Sequence, residues 1–326
     1  QMCIRDRFGG EGILAYSALT RSRGTQDLAG AVFRTADEIP PEAGLDDAVG
    51  SVDFTGRFND FWGGLSYSHG LGEHFGLGVT WYGAVRSQNR QQQSIAQFVD
   101  TDGSGRTEID NASGKYTDIR TLFKFGASFR AGSISGGATL TTPSIHISGN
   151  GELRVNQSAI GADTTALLAG IQTDLPAEYR SPLSIGGGLA WRVGPARVHG
   201  SVEWFDKVDR YVVIQGDSLY AQDPEGEGFV LDAVHEHTAV TNWGVGLEYA
   251  ISKAFTGYLS YFTDNSTLDE DLERTGLSIL PIDIQTLTVG TDFVLRSARL
   301  TLGIGYGWGS EIDRGLTDLL KREDED

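Results

Sequence analysis

Residues 283–309 read DIQTLTVGTDFVLRSARLTLGIGYGWG. In the second half Leu300, Leu302, Ile304, Tyr306 and Trp308 alternate with Thr301, Gly303, Gly305, Gly307 and Gly309. A period of two places the large residues on one face of a strand and the small ones on the other. A soluble sheet buries its apolar face and wets a polar one. Here one face is aromatic and branched throughout, and the other is glycine and threonine. Such a strand turns its large side chains to lipid and its small ones to an interior, as in a transmembrane β-barrel.

The same unit recurs in four more hairpins, with short turns at 69–74, 130–133, 192–197 and 250–254 besides the one at 295–299. Phe75, Leu77, Val79 and Trp81 oppose Gly76, Gly78, Thr80 and Tyr82. Phe123, Phe125, Ala127 and Phe129 oppose Arg120, Lys124 and Ser128. Leu183, Ile185, Leu189 and Trp191, then Val198, Val202 and Trp204, form a third outer set, with His199, Ser201 and Glu203 inside. In the fourth, Trp243, Val245, Leu247 and Tyr249, then Phe255, Leu259 and Tyr261, face out and Glu248 faces in. Runs of about 9–11 such residues cross a tilted barrel wall. With an early strand at 12–18, about eleven strands are readable, and single-chain bacterial barrels close on an even number. Trp81, Trp191, Trp204, Trp243 and Trp308 fit interfacial girdles. The polar stretches at 20–53, 89–116, 148–180, 207–239 and 264–283 are expected to be extracellular loops, and the short turns periplasmic.

The 326 residues suffice for one large barrel or two ordinary domains. Mean hydropathy is −0.21, because every second barrel residue faces the interior. No apolar run is long enough for a transmembrane helix. The net charge of −18 excludes a nucleic-acid partner, which needs a basic surface. Much of the acidity lies in TADEIPPEAGLDDAVGSVD at 35–53 and STLDEDLERTG at 266–276, either as loop solvation or for divalent-cation bridging at the cell surface.

Met2 and Cys3 occur only in the opening QMCIRDR, which is unlike the rest; residues 1–7 are read as a non-native leader and 8–326 as a partial barrel domain. That leaves no disulfide or thiol chemistry. No signal peptide is visible, and the chain stops in LTDLLKREDED rather than on an aromatic strand residue. An N-terminal segment and terminal strands are therefore expected to be missing.

LPAEYRSPLSIGGGLAWRVGPARVHGSVEWFDKVDRY (175–211), FKFGASFRAGSISGGATLTTPSIHISGNGEL (123–153) and LGEHFGLGVTWYG (71–83) resemble the FadL-type outer-membrane transporters of long-chain fatty acids and aromatic hydrocarbons. The resemblance rests on the ordered hairpins across 54–310, not on one motif. It implies fourteen strands in the complete protein, an N-terminal hatch plugging the barrel, and sideways release of ligand through a wall opening. The family's Asn-Pro-Ala start and hatch region are not found here, so no hatch residue is carried over. In that family a kinked wall strand makes the opening, and Pro143, inside TLTTPSIHI, is the candidate; the alternative is a proline that ends the strand at the rim.

No Gly-x-Ser-x-Gly elbow, His-Glu-x-x-His or phosphate loop is present. GGEG and SIGGG read as strand glycines, with no helix following. An enzyme is not expected. DTDGSGRTEIDN at 100–111 places Asp100, Asp102, Ser104 and Glu108 at positions 1, 3, 5 and 9 of a calcium loop, with the Arg106 carbonyl at position 7. Asn111 stands where the bidentate Glu belongs, so an Asx-rich loop explains the stretch equally well. Ca2+ there is the one cofactor considered. His235 and His237 share a face if extended, without a visible third metal ligand.

The expected function is passive transport of hydrophobic molecules across the outer membrane by a monomeric multi-pass barrel, with outer-membrane lipid and a hydrophobic small molecule as partners. Apolar residues in otherwise polar loops are the candidate ligand groove: Leu167, Leu168, Ile171 and Leu175, with Tyr211, Val213, Ile214, Leu219 and Tyr220. They either receive ligand or pack loop on loop. The alternative function is a structural or adhesive barrel, or a diffusion porin for polar solutes. Few expected lumen charges (Arg120, Lys124, Glu203, Glu248, Asp292) speak against a porin's opposed charge ladders.

Overall fold

A computed structural model of the chain describes residues 2–8, 12–35, 45–161, 165–219, 229–230, 232–267, 282–295 and 298–310. Its strands are β1 (Met2–Phe8), β2 (Gly12–Thr35), β3 (Leu45–Leu71), β4 (Phe75–Asp100), β5 (Gly105–Ala131), β6 (Ile134–Thr141), β7 (Ile145–Ile160), β8 (Thr165–Pro176) and β9 (Ser184–Val193). They continue with β10 (Ala196–Phe205), β11 (Val208–Ile214), β12 (Ser218–Leu219), β13 (Phe229–Val230), β14 (Ala233–His237), β15 (Val240–Ser252), β16 (Phe255–Asp264), β17 (Asp283–Leu295) and β18 (Ala298–Ser310). No helix among the described residues is long and apolar enough to cross a membrane.

Fourteen strands form one sheet, in the order β1-β2-β3-β4-β5-β6-β9-β10-β15-β16-β17-β18, with β7 paired to β5 and β8 to β7. The hairpins are antiparallel and in the expected phase. Leu65, Trp81 and Phe123 stand side by side on the outer face, and so do Val289 and Ile304. Outward Leu189 is 59% exposed and Ile304 is 77% exposed, as lipid-facing residues should be. The sheet curls far enough for Arg21 of β2 to lie 6.0 Å from the ring of Phe205 on β10, across the interior. No ladder joins β18 to β1 among the described residues. The architecture is an all-β antiparallel barrel wall.

An apolar belt runs around its outer face, from Phe75 to Val85 on β4 and from Ile119 to Phe129 on β5. Ring contacts mark its edges: Trp243 with Tyr261 at 5.3 Å and Tyr306 with Trp308 at 5.8 Å near one edge, and Phe255 with Phe293 at 5.0 Å near the turns. Aromatic residues in such positions form the girdles that flank the apolar band of a membrane barrel.

The expected loops differ from this structure. Most of 20–35, 45–53, 89–116 and 148–160 is strand that continues upward from the belt. β3 and β5 have 27 residues and β4 has 26, more than twice what a bilayer crossing needs. Beyond the eleven strands readable in the sequence, β1 falls in the stretch read as a leader, and β7 and β8 extend the wall positions of β6 and β9, so the fourteen strands occupy twelve positions along the wall. Most of 266–276 and of the C-terminal stretch, together with Tyr220, lies outside the described residues.

Candidate functional site

The most heavily buried region is not between sheets but against the inner face of β3, β4, β5 and β7. Inward-facing residues here follow the belt's alternation: Asp60 and Trp62 on β3, Ala84, Arg86 and Gln88 on β4, Tyr116, Asp118, Arg120 and Leu122 on β5. All are buried. Arg120 Nη2 donates to Asp60 Oδ2 at 2.6 Å, and its Nη1 lies 3.5 Å from Asp118 Oδ2. Asp118 Oδ1 is 2.8 Å from His146 Nδ1 on β7. Trp62 Nε1 donates to Asp60 Oδ1 at 3.1 Å. Arg86 Nε donates to the Tyr116 hydroxyl and its Nη2 to Gln88 Oε1. Buried charges survive only when paired and hydrogen-bonded; two carboxylates and two guanidinium groups share this network.

The network is covered from inside by chain that the sequence places in loops. After β8, residues 177–183 turn into the interior instead of crossing the wall. Tyr179 lies over two cations, with Arg86 Cζ 4.0 Å and Arg120 Cζ 4.9 Å from its ring centroid. Ala177 bridges Ile214, and Glu178 N donates to Val213 O at 2.8 Å, so β11 and its partner β14 are drawn inward too. Two glycines make this approach possible. A methyl group at Gly149 would run into the Ala177 carbonyl, and one at Gly151 would sit 2.8 Å from Ile214 Cγ2.

His235 and His237 belong to this inner layer. Their rings are 4.4 Å apart, beside Tyr179 and Tyr211. Burial, then the neighbouring His237 and Arg86, hold His235 well below the usual histidine range, and burial with Arg86 lowers His237 to about 4. Both are neutral imidazoles at neutral pH. Burial likewise raises the Tyr211 phenol. Among the described residues no three histidine, cysteine or carboxylate groups converge as a metal site.

The candidate ligand residues divide. Leu175, Tyr211, Val213 and Ile214 pack together with Tyr116, Leu153 and Tyr179 in one buried cluster. Leu168 is buried elsewhere on β8, and Leu167 and Ile171 face the opposite side, exposed. Leu219 falls in β12, paired with Phe229. Asp100–Ser104 form the β4–β5 hairpin turn. Gly103 N donates to Asp100 O, Ser104 Oγ to Asp100 Oδ2, and Ser104 N to Asp102 Oδ1. The Ser104 bonds also hold the Asp102 carboxyl below the usual range. Glu108 lies in β5, 3.4 Å from Arg106, whose guanidinium stacks on Phe98 at 4.8 Å.

Pro143 stands where one wall strand becomes two. β6 pairs with β5 up to Thr141 and β7 resumes at Ile145, with one extra residue between. On its other side β6 pairs with β9, whereas β7 pairs with β8. The wall therefore parts above Thr141 and Ser184. The parting is held by Ser144 and Ser181: Ser144 N donates to Ser181 O at 3.2 Å and Ser181 N to Ser144 Oγ at 2.8 Å. Arg120 Nε donates to Ser181 Oγ at 3.1 Å, which ties the break to the buried network.

Below this layer the interior is open. A cavity of about 1050 Å³ is lined by small residues, including Gly76, Ser128, Gly137, Gly188, Ser201 and Gly246, with His199 and Glu248 3.8 Å apart. The other expected lumen charges face inward. Lys124 and Glu203 border a second cavity, and Asp292 is buried against Arg299 at 3.0 Å and Thr301 at 2.9 Å. Sequence reasoning missed Asp60, Arg86 and Asp118, although their alternation is in phase with the belt below.

Comparison with protein-family models and with curated protein sequences finds no match. Comparison with solved structures finds the Pseudomonas putida toluene transporter TodX, at 13% identity over 93% of this chain and 74% of that one, TM-score 0.56. The CymD monoaromatic hydrocarbon channel is 11% identical over 92% and 84%, TM-score 0.52, and a Pseudomonas aeruginosa FadL homologue is 11% identical over 95% and 70%, TM-score 0.52. At such identities the likeness is one of fold, and the fold is that of the FadL-type hydrocarbon transporters.

Proposed function

We propose that this FadL-type barrel carries hydrophobic small molecules passively across the outer membrane and releases them sideways at the Pro143 break. The observation that carries the reading is the parting of the wall between β6 and β7, directly against an interior filled by buried side chains. The filling beside β3–β5 disfavours a wide water path, which a porin for polar solutes requires. A break in the wall gives an apolar ligand an exit into lipid. The toluene and monoaromatic hydrocarbon channels among the fold's solved relatives support the same substrate class. In this conformation Leu167 and Ile171 lie exposed on the face of β8 turned away from the interior. Leu175, Tyr211, Val213 and Ile214 become available when the inner segment moves.

The test is ligand binding by the refolded protein set against its conductance in a planar bilayer. A long-chain fatty acid or toluene should bind saturably while ion and sugar conductance stays low. High conductance without such binding favours the porin alternative.

A further inference from the structure

The outer face of the wall changes character within one residue pair of the belt. Above Val85 the outward residues of β4 are Ser87, Asn89, Gln91 and Gln93, all exposed. Cross-strand register sets basic groups on both sides of them. Arg57 on β3 and Lys115 on β5 are both direct partners of Asn89, so their Cα atoms are roughly 10 Å apart. Arg23 on β2 partners Asn59, one outward step from Arg57. Arg23 and Arg57 are exposed and form no ion pair with a described residue. In these two rows the one carboxylate on the described strands β2–β5 and β7 is Glu152, which Lys115 holds at 2.6 Å. A chain with a net charge of −18 thus sets a cationic, amide-rich strip along the upper edge of its lipid belt.

We propose that this strip binds the phosphorylated glucosamine head group of lipopolysaccharide, an inference that rests on the outer-membrane reading above. In an outer leaflet of that lipid, sugar phosphates lie just above the acyl chains, at the height of Arg23, Arg57 and Lys115. Guanidinium groups match phosphate with paired donors. Asn89 and Gln91 supply donors and acceptors for sugar hydroxyls. Above Asn89 and Lys115 the β4 and β5 strands continue upward for about 10 more residues, roughly 25 Å at a 45° tilt, which keeps the wall in register with a saccharide layer.

The test uses the full chain refolded into phosphatidylcholine vesicles, plain or doped with lipopolysaccharide or with phosphatidylglycerol. Heat-modifiable mobility reports insertion, and lipid retained after detergent extraction reports binding. Wild type should retain lipopolysaccharide in preference to phosphatidylglycerol, and more weakly at high salt. The Arg23→Gln, Arg57→Gln, Lys115→Gln triple variant should insert equally well and retain at least tenfold less. Equal retention by the variant, or equal retention of phosphatidylglycerol by wild type, overturns the proposal alone. Failure of wild type to insert at all overturns it together with the outer-membrane reading.

Discussion

Arg120 holds Asp60 across sixty residues of sequence, Nη2 to Oδ2 at 2.6 Å, with the Arg120 side chain fully buried and Asp60 nearly so. The pair joins two long wall strands that are not neighbours, because β4 lies between β3 and β5. Ala84, the β4 residue opposite Arg120, leaves room for the long side chain to pass.

Removing the cation strands two buried carboxylates. Arg120→Met should cost about 3–5 kcal/mol, since breaking a buried pair leaves uncompensated charge. Arg120→Lys should recover only part of this, because one ammonium cannot reach Asp60, Asp118 and Ser181 together. Urea unfolding of the vesicle-inserted protein measures both. Equal stability of the Arg120→Met variant and the wild type contradicts the network.

Lipid exposure separates two adjacent positions. Leu189→Arg puts a charge on the outer face and should cost about 2–4 kcal/mol near the bilayer midplane. Ala190→Arg enters the open cavity and should fold with much less loss. The ratio of folded to unfolded protein on refolding titration decides it, and a reversed order would invert the two faces.

The inner layer should loosen in acid. His235 and His237 are neutral when folded and titrate in the ordinary histidine range, near 6.5, when released. The released state therefore binds more protons below that point, and stability falls as the pH drops from about 6.5 towards the folded value of about 4. The groups facing the pair are Tyr179, Tyr211, Arg86 and Thr267. Amide exchange in 177–183, 208–214 and 233–237 should accelerate over this window while β17 and β18 stay protected. His235→Gln with His237→Gln should flatten the dependence; an unchanged pH profile refutes the assignment.

Gly149→Ala should disturb the same layer without touching a charge. The added methyl meets the Ala177 carbonyl, and overpacking of this kind costs about 1–3 kcal/mol. Residues 177–183 should become protease-sensitive in the inserted barrel. Full protection of the variant would mean that the segment docks elsewhere.

The belt was legible because lipid demands a continuous apolar face. Leu300 to Trp308 alone reveal the strand, its phase and its outer side. Above the belt both faces are wet or polar, so Ser87, Asn89 and Gln91 carry no hydrophobic alternation and read as loop. The buried network was hidden for the same reason. Arg86, Asp118 and Arg120 keep the inward phase, but a charge in a predicted loop is ordinarily solvated. Pro143 was legible as an interruption, whereas its neighbours' pairing to different strands depends on tertiary register. The inward turn of 177–183 left only Gly149 and Gly151 as a trace, two residues apart on one face.

The proposed sideways release at Pro143 is tested most directly by closing the break. In a Cys3→Ser background, Ser144→Cys and Ser181→Cys face each other across the break, where Ser144 N donates to Ser181 O and Ser181 N to Ser144 Oγ. Cells carrying the oxidised protein should take up toluene or a long-chain fatty acid at least tenfold more slowly than cells carrying the reduced form, and a reductant should restore the rate. Equal uptake by the oxidised and reduced forms, with the disulfide verified by mass, would contradict release at Pro143.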